Sequence, residues 1–258
     1  MRRLLGAALL LGIVALLSGC DAFGGPQNTF APGGDVAEKQ RNLFLLVAVL
    51  GAIIGLAVFA VLLYTMVHFR QRSPDDPPPK QVHGNQRAEL IWTILPAILM
   101  IGLAFPTVEG IIDLGRDPKD DALKVDVTAL RFAWQFEYAD YLKDDGTPLK
   151  VDAELHIPVD QEISVTLHSV DVIHSFAVPK LAGHLDVVPN RSNRMWFNAT
   201  ALGTYSGQCM EFCGIDHANM KFQVIAQTPE DFDAWIQEQL DAANAGAPPA
   251  PPEQPAGE

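Results

Sequence analysis

Hydrophobic and polar positions divide this chain into long unbroken apolar runs, then short alternating segments, then one stretch with helical spacing. Arg2 and Arg3 precede an apolar run from Leu4 to Leu17, too short to span a bilayer but matching the core of an export signal. Residues 21–42 are rich in Gly, Pro and polar side chains and predict an extended linker. Leu43 to Val67 carries no charge and exceeds the roughly 20 residues a membrane-crossing helix needs. A second apolar run, Leu90 to Ile112, contains Pro96 and Pro106, with Glu109 near its far end; neighbouring helices can accommodate such kinks. From Lys124 the period becomes two, over 124–129, 131–138, 163–168, 194–199 and 221–226, which predicts antiparallel strands. A span of roughly 100 residues suits one Greek-key sandwich. Pro229 to Leu240 places Phe232, Trp235, Ile236 and Leu240 on one side of a helix.

The expected partition is a lipoprotein-type signal at 1–19, a linker at 20–42 and a transmembrane hairpin at 43–113 with a loop near 69–89. A β domain at 117–227, a helix at 228–240 and a disordered Ala/Pro-rich tail at 241–258 follow. Charge orients the hairpin. Its loop contains Arg70, Arg72, Lys80 and Arg87, against Lys39 and Arg41 before the first helix, which places the loop in the cytoplasm. The β domain then lies outside, in the periplasm of a Gram-negative cell. Leu17-Ser18-Gly19-Cys20 resembles a bacterial lipoprotein signal, with cleavage before Cys20 and lipidation of its thiol; the alternative is an ordinary small residue in a signal cut elsewhere.

A net charge of -13 excludes a nucleic-acid surface, which needs excess Lys and Arg, and favours a basic protein partner. Three cysteines are too few for a disulfide scaffold. Two of them lie in Gly207-Gln208-Cys209-Met210-Glu211-Phe212-Cys213-Gly214-Ile215-Asp216-His217-Ala218-Asn219-Met220. Two thiols, an imidazole and a thioether within twelve residues suit copper, which accepts soft sulfur and borderline nitrogen together. Two cysteines on one loop could bridge a metal pair. A disulfide would leave His217 and Met220 unexplained, and zinc has no use for a thioether; both remain alternatives at this point.

The same loop, preceded by Gly203-Thr204-Tyr205-Ser206-Gly207-Gln208, resembles the binuclear copper (CuA) loop of cytochrome c oxidase subunit II. Asp171-Val172-Ile173-His174-Ser175-Phe176-Ala177-Val178-Pro179, Glu89-Leu90-Ile91-Trp92-Thr93-Ile94-Leu95-Pro96 and Trp134-Gln135-Phe136-Glu137-Tyr138 match other parts of that family, in order. The resemblance implies a two-helix membrane hairpin followed by an all-β, cupredoxin-like Greek-key sandwich on the outer face. It implies two copper ions held by His174, Cys209, Cys213, His217, Met220 and the Glu211 carbonyl, with the Glu211 carboxylate facing a magnesium ion shared with subunit I. His156, His168 and His184 match no ligand position.

Glu89 would be the mouth of a proton path into subunit I, or simply a carboxylate favoured at a helix start. Glu137 and Asp171 would attract cytochrome c, or merely solvate the surface. Phe132 replaces the family's exposed Trp through which electrons are accepted, and Asn190 replaces a Gly, a mild change because Asn tolerates positive φ. On an exposed strand edge Phe132, Trp134 and Phe136 would form an aromatic row, unless all three are core. The implied activity is that of a proton-translocating terminal oxidase: electrons pass from cytochrome c through the copper pair to haem in subunit I, where oxygen is reduced. Subunits I and III are the implied partners, in the bacterial plasma membrane. The alternative function is a membrane-anchored copper chaperone or storage protein.

Overall fold

The computed structural model describes residues 25–76, 81 and 83–246; the expected signal at 1–19, Cys20 and the chain after residue 246 lie outside the described residues. Two helices come first, α1 (Asp35–His68) and α2 (Gln86–Leu114). Both are long and apolar enough to cross a membrane, with mean hydropathies of 3.0 and 2.0 over an 18-residue stretch of each. Residues 39–115 form one compact unit. Within it Lys39 and Asp113 form an ion pair of 2.6 Å. Asn85 caps α2 by accepting from the Ala88 N–H, while Glu89 Oε1, one residue beyond the usual capping-box position, accepts from the Asn85 N–H at 3.2 Å.

Residues 25–38 and 116–246 form the second unit. Ten strands make two sheets: β1 (Leu123–Leu130), β2 (Ala133–Leu142), β3 (Pro148–Asp152), β4 (Glu154–Pro158), β5 (Ile163–Ser169), β6 (His174–Val178), β7 (Gly183–Val187), β8 (Asn193–Phe197), β9 (Gly203–Cys209) and β10 (Lys221–Gln227). The sheet orders are β3-β2-β1-β5-β8 and β4-β10-β9-β6-β7. Because β4, β6 and β9 each follow a crossing from one sheet to the other, the sandwich has the expected Greek-key character. The sheets are mixed, however: β1 pairs parallel with β5 and β10 with β4. Those pairs arise where the chain leaves a sheet and returns beside an earlier strand.

Alternate residues of β1 and β2 point inward: Val125, Val127, Ala129, Trp134, Phe136 and Tyr138 are all nearly or fully buried. Trp134 and Phe136 meet Phe176 and Phe222 from other strands, and Phe197 stacks on Phe176 at 6.5 Å. Phe222 lies 5.3 Å from Trp134, 5.5 Å from Phe136 and 4.8 Å from Phe176, centroid to centroid. Gly207 on β9 fits beneath Phe222, since a Cβ there would come within 2.3 Å of the ring.

The expected linker at 20–42 is corrected over residues 35–42, which are helical. Val36 and Ala37 in the first turn of α1 are buried, and Asp35 and Glu38 suit a helix N-terminus electrostatically. Residues 25–38 lie along the sandwich as a strap. Gly33 N–H donates to the Lys180 carbonyl at 2.8 Å, Ala37 N–H to Leu181 at 3.1 Å, and Thr200 N–H to Gly33 at 2.8 Å. Asp35 and Asn198 exchange two further hydrogen bonds. The approach needs glycine: a Cβ on Gly34 would stand 2.1 Å from the Asn198 carbonyl oxygen, and one on Gly33 2.3 Å from the Tyr205 ring.

Where the chain enters β1, Arg116 grips Glu162 with two hydrogen bonds of 3.0 and 2.6 Å and stacks 3.8 Å above Trp196. The last helix, α3 (Pro229–Asn244), is capped by Thr228 and buries Phe232 and Ile236. It runs four residues beyond the expected 240, so residues 241–244 are helical and not tail. Trp235 stacks on His156 at 3.9 Å. Asn190 has φ 62, the left-handed conformation for which Asn is suited.

Candidate metal centre

The loop between β9 and β10 is a long hairpin connection, closed at its base by a hydrogen bond from the Cys209 N–H to the Met220 carbonyl at 3.0 Å. Beside β9 lies β6, with Phe176 opposite Cys209, and the Met210 N–H donates to the Ser175 carbonyl at 3.0 Å. That pairing brings His174, the first residue of β6, to the loop. A single 3-10 turn, His217–Asn219, folds His217 and Met220 back onto it.

Six donor atoms converge. The thiols of Cys209 and Cys213 are 3.9 Å apart and unbonded. His174 Nδ1 lies 3.8 Å from Cys209 Sγ, and the Glu211 carbonyl oxygen 3.2 Å from it. His217 Nδ1 and Met220 Sδ lie 3.6 and 3.7 Å from Cys213 Sγ. Ligands roughly 2.0–2.3 Å from a shared metal can stand no more than about 4.6 Å from one another, so the spacing fits metal ligation. The ligand atoms of His174, Cys209 and Cys213 all lie within 4.8 Å of one another. A disulfide is not formed, and the closeness of a thioether and a carbonyl to the thiols favours copper over zinc.

The site is dry on one side. His174 is fully buried, Cys209, Cys213 and Met220 are nearly so, and His217 is half-buried. Burial, then the neighbouring Cys209 thiol, push the Cys213 pKa up to about 11. Metal uptake must therefore displace protons from the thiols. Trp134 braces the floor: its indole N–H donates to the Met220 carbonyl at 3.4 Å and its ring stands edge-on to His174 at 6.2 Å.

The other sequence-derived residues fall in different places. Phe132 is not on a strand edge; it occupies the two-residue turn between β1 and β2, where the tight reversal at Arg131-Phe132 takes it out of the strand register. The aromatic row is accordingly broken: Trp134 and Phe136 are core, whereas Phe132 is half-buried. Its ring rests against Gly214, where a Cβ would come within 2.9 Å of it and where φ is +146. Glu137 pairs with Lys150 at 2.7 Å. Asp171 turns inward to His174 Nε2 at 2.8 Å. Burial by itself opposes its charge, but hydrogen bonds from His174 and from the Val172 and Arg131 N–H groups hold its carboxyl well below the usual range. Glu89 belongs to the helical unit. Glu211, Phe212 and Ile215 are exposed on the loop.

Sequence reasoning missed the seat that Gly214 provides for Phe132, the Gly207 contact and the strap. Adjacent Gly33 and Gly34 were the available signal for the strap. Its Gln27 side chain donates to Gln208 at 2.9 Å, next to Cys209.

Comparison with known proteins is consistent along the chain. A family model described as the periplasmic domain of cytochrome c oxidase subunit II matches residues 123–227, and one described as its transmembrane domain matches residues 32–109. Cytochrome c oxidase subunit 2 of Alkalihalophilus pseudofirmus is 36% identical over 232 residues, covering 87% of this chain and 65% of that protein. The Bacillus subtilis protein of the same description is 35% identical over 247 residues, covering 89% and 67%. The chain thus spans about two thirds of the length of these relatives. Among solved structures, the periplasmic domain of subunit II of cytochrome oxidase from Bradyrhizobium japonicum is 30% identical with a TM-score of 0.44, covering 48% of this chain and 96% of that one.

Proposed function

This chain belongs to the cytochrome c oxidase subunit II family, and on that footing we propose that it is the copper-carrying subunit of a proton-translocating terminal oxidase, relaying electrons from cytochrome c to haem in subunit I. The observation that carries the reading is the convergence of His174, Cys209, the Glu211 carbonyl, Cys213, His217 and Met220, with neighbouring donors 3.2–3.9 Å apart. These residues would hold two copper ions. Bound there, the pair would supply one-electron transfer with little reorganisation.

The chain's own residues account for the rest. The two thiols lose their protons on loading, and the buried walls exclude water from His174 and Met220. Trp134 steadies the site by holding the Met220 carbonyl at the end of the loop and flanking His174 on β6. Phe132, half-exposed over Gly214, offers the donor a packed route to the loop. The exposed Glu211 carboxylate is available for a magnesium ion shared with subunit I. One Glu89 oxygen serves the helix cap; the other would open a proton path. The helices anchor the protein in the bacterial plasma membrane beside subunits I and III, with the sandwich on the periplasmic side, and Cys20 carries the lipid. Burial of His174, Cys209, Cys213 and Met220 argues against a chaperone or storage role, which requires metal that exchanges readily.

Metal analysis with electron paramagnetic resonance on the purified complex tests this. Two coppers per subunit sharing one unpaired electron are expected, and Cys213→Ser should abolish the shared signal. One copper, or two separate cupric signals, would refute it.

A further inference from the structure

Four hydrogen bonds set the Asp171 carboxylate apart from one that merely solvates the surface. It sits in the short segment between β5 and β6, where the Val172 N–H donates to its Oδ1 at 2.7 Å. The same oxygen faces His174 Nε2 at 2.8 Å. Oδ2 accepts from the Arg131 N–H at 2.8 Å and from Arg131 Nε at 3.3 Å. One carboxylate thus holds the outer nitrogen of a metal-site imidazole with one oxygen, and with the other the turn that presents Phe132. Its side chain is only 21% exposed, while His174 is fully buried.

The two imidazoles of the site are not equivalent. His174 has a carboxylate on its outer nitrogen. His217 is half-buried against Phe212 and, among the described residues, has no carboxylate partner. A carboxylate on the outer nitrogen of a ligating histidine fixes the tautomer and ring orientation and makes the inner nitrogen a stronger donor.

Resting on the functional reading above, we infer that Asp171 is a positioning residue of the metal centre: it fixes the proton of His174 on Nε2, makes that imidazole the stronger donor, and ties the Phe132 turn to it. A stronger donor favours the oxidised metal, so the carboxylate lowers the reduction potential. The shared carboxylate also makes the Phe132 turn and His174 move as one body, which keeps the contact between donor and centre constant.

The test is Asp171→Asn in the full chain within its complex, which keeps the shape and removes the charge. The variant is expected to retain two coppers at saturating metal, bind them 10- to 100-fold more weakly, show an altered spectrum and have a raised potential. A tenfold greater loss for the oxidised than for the reduced state corresponds to about 59 mV. A higher KM and altered salt dependence with spectrum and potential unchanged would overturn the inference in favour of docking. Should the variant fail to fold, the parent chain still decides: in the metal-free protein, nitrogen-15 shifts should place the His174 proton on Nε2, exchanging more slowly than that of His217. Equal exchange, or a proton on Nδ1, would overturn it. Absence of a copper pair from the parent is a different result, which removes the functional reading itself.

Discussion

Gly207→Ala should damage a domain whose metal ligands it does not touch. The added methyl would lie 2.3 Å from the Phe222 ring, so the ring or β9 must shift. Phe222 has little room, being packed on Trp134, Phe136 and Phe176 at 4.8–5.5 Å and almost fully buried. Overpacking of such a core costs ~1–3 kcal/mol. A domain of this size loses ~3 °C of Tm per kcal/mol, so thermal unfolding should begin about 3–9 °C lower. The displacement should also reach the metal centre, because Phe222 packs on Trp134, which holds the Met220 carbonyl and flanks His174; the copper spectrum should shift. Scanning calorimetry of the parent, Gly207→Ala, Phe222→Leu and the double variant decides the cause. Trimming the ring relieves the clash, so the double variant should be ~1–2 kcal/mol more stable than the sum of the singles implies. Additive losses, or an unchanged Tm in Gly207→Ala, would refute the reasoning.

Phe132→Ala should slow oxidation of the cytochrome donor several-fold in stopped-flow measurements while leaving the copper spectrum and reduction by small artificial donors intact; a disturbed spectrum would mean that Phe132 is structural. Glu162→Gln should flatten the acid limb of stability. Hydrogen bonds from Arg116, opposed by burial and aided by the Lys119 N–H and both cations, hold the folded carboxyl below its ordinary value. That contribution is complete above the unfolded value of about 4.3 and is lost as pH falls through the folded one. Tm measured from pH 7 downward should therefore drop more steeply in the parent than in the variant.

The residues brought together at the metal centre all lie in sequence motifs, because ligand chemistry restricts residue type wherever the chain passes the site. The helices were equally plain from composition. Strands were legible where alternation was clean, as in β1 and β2. β6 escaped the period because all five of its residues are buried, and β9, Gly-Thr-Tyr-Ser-Gly-Gln-Cys, is too polar to register as a strand. The role of Asp171 could not be read from the chain, since a carboxylate that solvates a surface and one that orients an imidazole look identical until Arg131 and His174 are known to flank it. The strap was hidden for a similar reason: Gly33 and Gly34 read as flexible punctuation, whereas their lack of side chains serves close contact with Tyr205 and Asn198.

That strap constrains how the protein is threaded during biogenesis. Residues 25–38, ahead of the first helix, and residues 116–246, behind the second, fold as one body. A single body cannot straddle a bilayer, so the intervening chain must cross an even number of times: both helices insert, or neither does. An arrangement with one inserted helix would separate Gly33 from Lys180 and Asp35 from Asn198, leaving the sandwich without the segment that covers Leu181 and Tyr205. Parity of insertion follows from the packing of ten or so residues and is independent of the arginines in the loop.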